Sequence, residues 1–264
     1  MSFKDHLQTI GKSDNTIAAY LYTIDLFNEH FSRLDKHSIM AFKTFLMEKY
    51  SPRTVNLRIS AMNAYLKYLE SNLKMTTVKF QQQTFLENVI SFADYEHLKH
   101  SLQTDGNDLW YFVVRFLGST GARISELLQF KVEHVLMGYA DLYCKGGKVR
   151  RIYIPTSLST DTREWLRNNE VTTGFIFMSS KNTKLTAKGV SSQLKKLADR
   201  YGINQSVVYP HSFRHMFAKR FMQCHNDIAL LADILGHESV ETTRIYLRMT
   251  SEEQRSIINK IVDW

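Results

Sequence analysis

The chain has 264 residues, with 34 Lys+Arg against 26 Asp+Glu and a formal net charge of +8, a balance that fits a polyanionic partner. At 44% hydrophobic it can build one large domain or two modest ones. Two cysteines, Cys144 and Cys224, exclude a disulfide framework and point to a reducing cytoplasm. No apolar run approaches the roughly 20 residues of a membrane span, and the start MSFKDHLQTIGKSDN has no signal-peptide core.

The N-terminal part reads as an all-helical bundle. A short helix is expected near residues 3–10. Residues 13–31 follow, capped by Ser13 or Asp14, with Ile17, Tyr20, Leu21, Ile24, Phe27 and Phe31 at helical spacing. Residues 38–49 put Ile39, Phe42, Phe45 and Leu46 on one face. Ser51-Pro52 is a start signal for a third long helix carrying Val55, Ile59, Met62, Tyr65, Leu66 and Leu69. Its other face offers Arg53, Arg58 and Lys67, either a solvated surface or a face for nucleic-acid phosphates. The bundle is expected to span residues 1–75. From Asn72 to Thr84 the pattern lapses, with QQQ at 81–83, and residues 76–84 are expected to be an extended linker.

A second, mixed α/β domain is expected over 85–264. Helices are predicted at 91–103 and 107–119, and Gly121 breaks the pattern before Arg123 opens the next. Glu126 follows one turn on. Strands are predicted at Val135–Met137, Ala140–Cys144 and Arg150–Ile154, with Lys145 and Lys148 in a Gly-containing turn. Next come a helix near 160–168, a short strand Phe175–Met178 and a helix near 186–201 carrying Lys188, Lys195, Lys196 and Arg200. Pro210 precedes a helix in which His211 and Arg214 share a face. Ile228, Leu231 and Ile234 build another, ended by Gly236, and His237 follows directly. The tail SEEQRSIINKIVDW has a helical apolar pattern.

Arginines, histidines and a tyrosine without a carboxylate pair suit chemistry at a phosphate. Arginine matches two phosphate oxygens and stays charged, imidazoles move protons, and a tyrosine can attack. His211 and His215 stand at zinc spacing, but the glutamate of H-E-x-x-H is missing, so no metal is expected.

The segments TGARISELL, HSFRHMFA and LGHESVETTRIY, with Lys145 between them, resemble the boxes of the tyrosine recombinase (phage integrase) family, in order and separation. The resemblance implies a mainly α protein with a small β-sheet, made of a helical core-binding domain and a mixed α/β catalytic domain. It implies catalytic roles for Arg123, Lys145, His211, Arg214, His237 and Tyr246, and an orienting role for Glu126. Position before the glycines favours Lys145 over Lys148 as the lysine. DNA contacts are expected from Arg53, Arg58, Lys67, Lys148, Lys188 and Lys195.

In the implied reaction Tyr246 attacks the scissile phosphate to form a 3′-phosphotyrosine and Lys145 protonates the leaving 5′-oxygen. Arg123, Arg214 and His237 hold the phosphate, and His211 helps accept the tyrosine proton. Two rounds pass through a four-way junction in a synaptic tetramer coupled by the C-terminal helix, with no cofactor. The chain begins close to the bundle, so the simple type without an arm-binding domain is expected. Met216 and Arg248 depart from the family's usual residues and blur the subfamily. The alternatives are a type IB topoisomerase and a DNA-binding regulator with a dead active site.

Overall fold

The computed structural model describes residues 1–79, 88–143, 149–237, 239–247 and 251–262, the residues 247, 251–254 and 257 by backbone alone. The chain divides into two compact units, Met1–Gln82 and Gln83–Trp264.

In the first unit four helices, α1 (Phe3–Thr9), α2 (Asp14–His30), α3 (Lys36–Lys49) and α4 (Pro52–Tyr68), enclose one core. Phe27, Phe42, Leu46, Ile59, Met62 and Leu66 are all buried there. The helix starts follow the sequence signals. Asp35 accepts from the Ser38 N–H at 2.8 Å. Ser13 and Ser51 hold the N-cap positions but make no cap bond; each hydroxyl instead meets a threonine three residues on. Residues 71–79 form no regular element, yet they are strapped onto α4. Asn56 exchanges two hydrogen bonds with the Val78 backbone and Asn63 two with Met75, which is buried.

The second unit follows α5 (Phe92–Thr104), α6 (Asp108–Thr120), α7 (Ile124–Leu127), α8 (Val132–Met137), β1 (Tyr139–Tyr143), β2 (Val149–Tyr153), α9 (Thr156–Asn168), α10 (Ala187–Arg200), α11 (Pro210–His225), α12 (Ile228–Leu235), α13 (Val240–Thr243), a 3₁₀ turn (Arg244–Leu247) and α14 (Ser251–Ile261). Leu98, Phe112, Phe116, Phe130, Phe177, Leu194 and Phe213 fill its core. Phe116 meets Phe130 and Phe177 edge-on at 5.1 and 5.4 Å.

The sheet is one antiparallel pair in the register Leu142↔Arg150 and Ala140↔Ile152, all four inward and buried. A lone pair of strands is marginal in water, so this one depends on what its inner face touches. Two predicted strands are corrected. Val135–Met137 belongs to α8, where buried Val132 and Val135 are one turn apart and Gly138 caps the end. Phe175–Met178 supplies only isolated bridges to Lys131 and Lys184. Both stretches are too short for alternation to decide their state. Among the described residues no helix is long and apolar enough to cross a membrane.

Candidate active site

The site is built around the C-terminal end of α12. Asp227 caps the start of that helix, accepting from the Ala229 and Leu230 N–H groups at 2.9 and 3.0 Å. Gly236 ends it in the left-handed conformation, φ +63°. The last carbonyls of a helix lack intrahelical donors and carry its negative dipole end. Here arginines fill that role on three successive carbonyls. Arg150 donates to Ile234 O from Nε at 3.0 Å and Nη2 at 2.7 Å. Arg214 Nη2 donates to Leu235 O at 2.7 Å, and Arg123 Nη2 to Gly236 O at 3.4 Å.

Arg214 sits on α11 and is 1% exposed. Besides Leu235 it donates to Gly121 O from Nη1 at 2.7 Å, to His237 Nε2 at 2.9 Å, and from Nε to the Tyr246 hydroxyl at 3.4 Å. Burial pushes its pKa down to about 10, with Tyr246 pulling the other way. It therefore remains a cation at neutral pH. Arg123 caps α7 and is far more open. Its Nη1 donates to Glu126 Oε1 at 2.8 Å and its backbone N–H to Oε2 at 2.7 Å. Glu126 Oε2 also takes Arg150 Nη1. Burial alone would raise the Glu126 carboxyl; Arg150, then Arg123, outweigh it and hold the group below the ordinary carboxylate range.

The tautomer of His237 follows from its neighbours. Arginine has no acceptor, so Nε2 offers its lone pair to Arg214, and the ring proton lies on Nδ1. Nδ1–H then donates to Thr243 Oγ1 at 2.8 Å. Burial, then the charges of Arg214, Arg123 and Arg150, push the His237 pKa down to about 4, which agrees with a neutral ring.

Tyr246 lies in the 3₁₀ turn, 4% exposed, packed with Ala218, Leu231 and Leu235. Its ring is nearly parallel to that of His237, centroids 5.6 Å apart, and meets His215 edge-on at 4.8 Å. His211, exposed at the start of α11, meets His215 edge-on at 4.8 Å. No hydrogen bond joins His211 to Tyr246 among the described residues; the His215 ring contacts both. Burial, then Arg214 and Arg123, lower the His211 pKa. Burial, then His211 and Arg214, push His215 down to about 4. Among the described residues the buried His215 Nδ1 has no hydrogen-bond partner.

Arg123, Arg214, His237 and Tyr246 thus converge, and His211 joins them through His215. Lys145 and Lys148 lie outside the described residues, as do Cys144 and Arg248. Arg53, Lys67, Lys188 and Lys195 are exposed on their helices. Arg58 is turned into its own bundle: Nη1 donates to Thr23 Oγ1 at 2.9 Å and to Ala19 O at 3.3 Å, and the guanidinium lies 4.4 Å over the Tyr22 ring. Sequence reasoning missed Arg150 and Thr243 and met His215 only as a zinc candidate. Among the described residues no group of three or more His, Cys, Asp or Glu side chains is gathered to hold a metal ion. A separate cleft of about 420 Å³, lined by Tyr95, Lys99, Arg115, Phe217 and Arg220 among others, shares none of its walls with this cluster.

Two guanidiniums, a neutral imidazole and a phenol suit an anion attacked by the phenol. Comparison with known proteins gives the same direction. Tyrosine recombinase XerA of Pyrococcus furiosus is 29% identical over 98% of this chain and 92% of its own length. Tyrosine recombinase XerC of Herpetosiphon aurantiacus is 29% identical over 92% of this chain and 87% of its own. The XerH site-specific recombinase, solved in a post-cleavage complex with palindromic difH substrate, superposes with a TM-score of 0.73 at 20% identity, covering 93% of this chain and 78% of that one. Residues 88–253 match the phage integrase family, and the chain belongs to that family.

Proposed function

We propose that this chain is a site-specific DNA recombinase that cuts and rejoins strands through Tyr246. The observation that carries the reading is the Tyr246 hydroxyl held against Arg214, with neutral His237 on the same guanidinium. In the proposed reaction the Tyr246 oxygen attacks the scissile phosphorus and forms a 3′-phosphotyrosyl ester, and the bond to the 5′-oxygen breaks. Lys145 gives that oxygen its proton. The phenolic proton passes to His211, whose imidazole is biased towards its neutral, accepting form by burial and the nearby arginines. Arg123 and Arg214 neutralise the charge that builds on the non-bridging oxygens. The 5′-hydroxyl of a partner duplex then attacks the ester and releases Tyr246.

Arg214 can offer a phosphate more than one N–H only by exchanging bonds. Four of its five N–H groups are committed, to Gly121, Leu235, His237 and Tyr246. The two backbone carbonyls fix the guanidinium in place. The bonds to His237 and Tyr246 are the ones an incoming phosphate displaces, and the Tyr246 hydroxyl is freed in the same movement.

The domain roles follow. The first unit is a core-binding domain and the second the catalytic one, joined by a linker. Arg53 and Lys67 contact phosphates, as do Lys188 and Lys195 on α10. Arg58 serves mainly to hold α2 to α4. Ile258 and Ile261 of α14 and Val262 just after it are exposed, which supports docking of this helix on a neighbouring protomer in a tetramer on DNA. A type IB topoisomerase and an inactive regulator are not favoured, because the relatives are recombinases.

Covalent trapping tests the reading. The protein is incubated with nicked suicide duplexes, beginning with a palindromic site of the kind named for XerH. The parent chain forms an SDS-resistant adduct and Tyr246→Phe forms none. An adduct that survives the substitution would place the nucleophile elsewhere.

A further inference from the structure

Three arginines meet the end of α12, and only two of them belong to the phosphate-binding set. The third, Arg150, is 6% exposed on β2. Its Nη1 bonds Glu126 Oε2, while Nε and Nη2 both grip Ile234 O. The bonds it makes to Glu126 and Ile234 reach neither Tyr246 nor His237, the two groups that mark the place of the phosphate. The guanidinium is also too costly a charge to bury as mere filling for a two-stranded sheet. What it does geometrically is join two elements of the site. One is the carboxylate that holds Arg123. The other is the helix end that presents Leu235 O to Arg214 and leads into His237.

We infer that Arg150 is a positioning residue for strand cleavage: it clamps Glu126 to the end of α12 and so sets Arg123 at a fixed spacing from Arg214 and His237. This rests on the recombinase reading above. Among the described residues the Arg123 guanidinium has one short side-chain contact, that to Glu126; its bond to Gly236 O is long at 3.4 Å. Glu126 in turn is fixed against α12 by Arg150. The clamp is closely fitted, since a Cβ built on Gly236 would lie 2.5 Å from Arg150 Cδ. The strand that carries Arg150 pairs with β1, so the same clamp ties that pair of strands to the site. Lysine cannot replace it, because one ammonium does not reproduce a fork that reaches a carboxylate and a carbonyl together.

The test compares Arg150→Met and Arg150→Lys with the parent full-length chain in single-turnover adduct formation, with DNA affinity measured alongside. Both variants slow adduct formation by about 10–100-fold, the usual effect of losing a group that orients a catalytic one, while the dissociation constant for DNA changes by less than about threefold. On a duplex whose scissile group is an uncharged methylphosphonate, placement of Arg123 matters less and the deficit shrinks. Adding Glu126→Gln to Arg150→Met costs little more than the worse single change, because both break one clamp. Where Arg150→Met does not fold, Arg150→Lys, which keeps the buried charge, carries the same comparison. Full-speed cleavage by a folded variant overturns the proposal. So does a deficit equal on both substrates, or losses that multiply in the double variant. A parent chain that forms no adduct sinks the recombinase reading instead, and the role of Arg150 with it.

Discussion

Thr243 is the least conspicuous residue of the site and one of the most informative. It is fully buried, and its hydroxyl receives the Nδ1 proton of His237. That bond selects the tautomer whose Nε2 accepts from Arg214. Thr243→Val keeps the shape and removes the acceptor, leaving the Nδ1–H unsatisfied or moving the proton to Nε2, where it confronts the Arg214 N–H. Cleavage is expected to slow by roughly tenfold with DNA affinity held. Nitrogen-15 NMR of the His237 ring should show the tautomer change in the absence of DNA. A single-turnover rate within about twofold of the parent would deny Thr243 this role. A threonine one turn ahead of a tyrosine carries no signal of this kind in sequence, because the partner ring is six residues away and arrives only through the α13 fold.

At the scale of elements, the turn after α12 sets the tolerance of the site. Gly236→Ala pays twice. A left-handed residue with a Cβ costs about 1–2 kcal/mol, and the new methyl meets Arg150 Cδ at 2.5 Å. Gly138, at φ +79° after α8, has nothing within 4 Å of its Cβ position and isolates the first cost. Urea unfolding followed by tryptophan fluorescence should therefore find Gly236→Ala less stable than Gly138→Ala. Equal losses would mean that Arg150 gives way freely. The same comparison shows what sequence can reveal. α2, α4, α6 and α12 were readable because each buries an apolar stripe at helical spacing between recognisable ends. α8 was not, because six residues hold too few apolar positions to separate a helix from a strand. Arg123, Arg214, His237 and Tyr246 were singled out by family boxes rather than by pattern. Arg150 was hidden because an arginine in an alternating strand looks solvent-facing, and only the register that turns it inward beside Ile152 reveals the clamp.

Across the whole molecule, acid should separate the two units. The histidines whose pKa values are lowered, His134, His211, His215 and His237, all lie in the second unit. In the first unit the lowered groups are Asp5 and Asp35, both exposed carboxylates. For His215 and His237 the folded pKa is about 4 against an ordinary 6.5. Between those values the unfolded chain binds more protons than the folded one, so stability falls as pH falls. The loss begins near pH 6.5, grows down to about 4 and then levels off, and Glu126, also lowered, adds to it in the carboxylate range. It amounts to a few kcal/mol, or roughly 5–10 °C in melting temperature, by about pH 5. The tryptophans, Trp110, Trp165 and Trp264, fall within the second unit, whereas helices occur in both. Melting followed by tryptophan fluorescence should therefore shift down on going from about pH 7.5 to 5, while a part of the far-UV circular dichroism signal, that of the first unit, melts where it did before. Fluorescence and dichroism transitions that move together would show that the acid-sensitive histidines govern the stability of the entire chain, and transitions that do not move would show that the site opens to admit protons without unfolding.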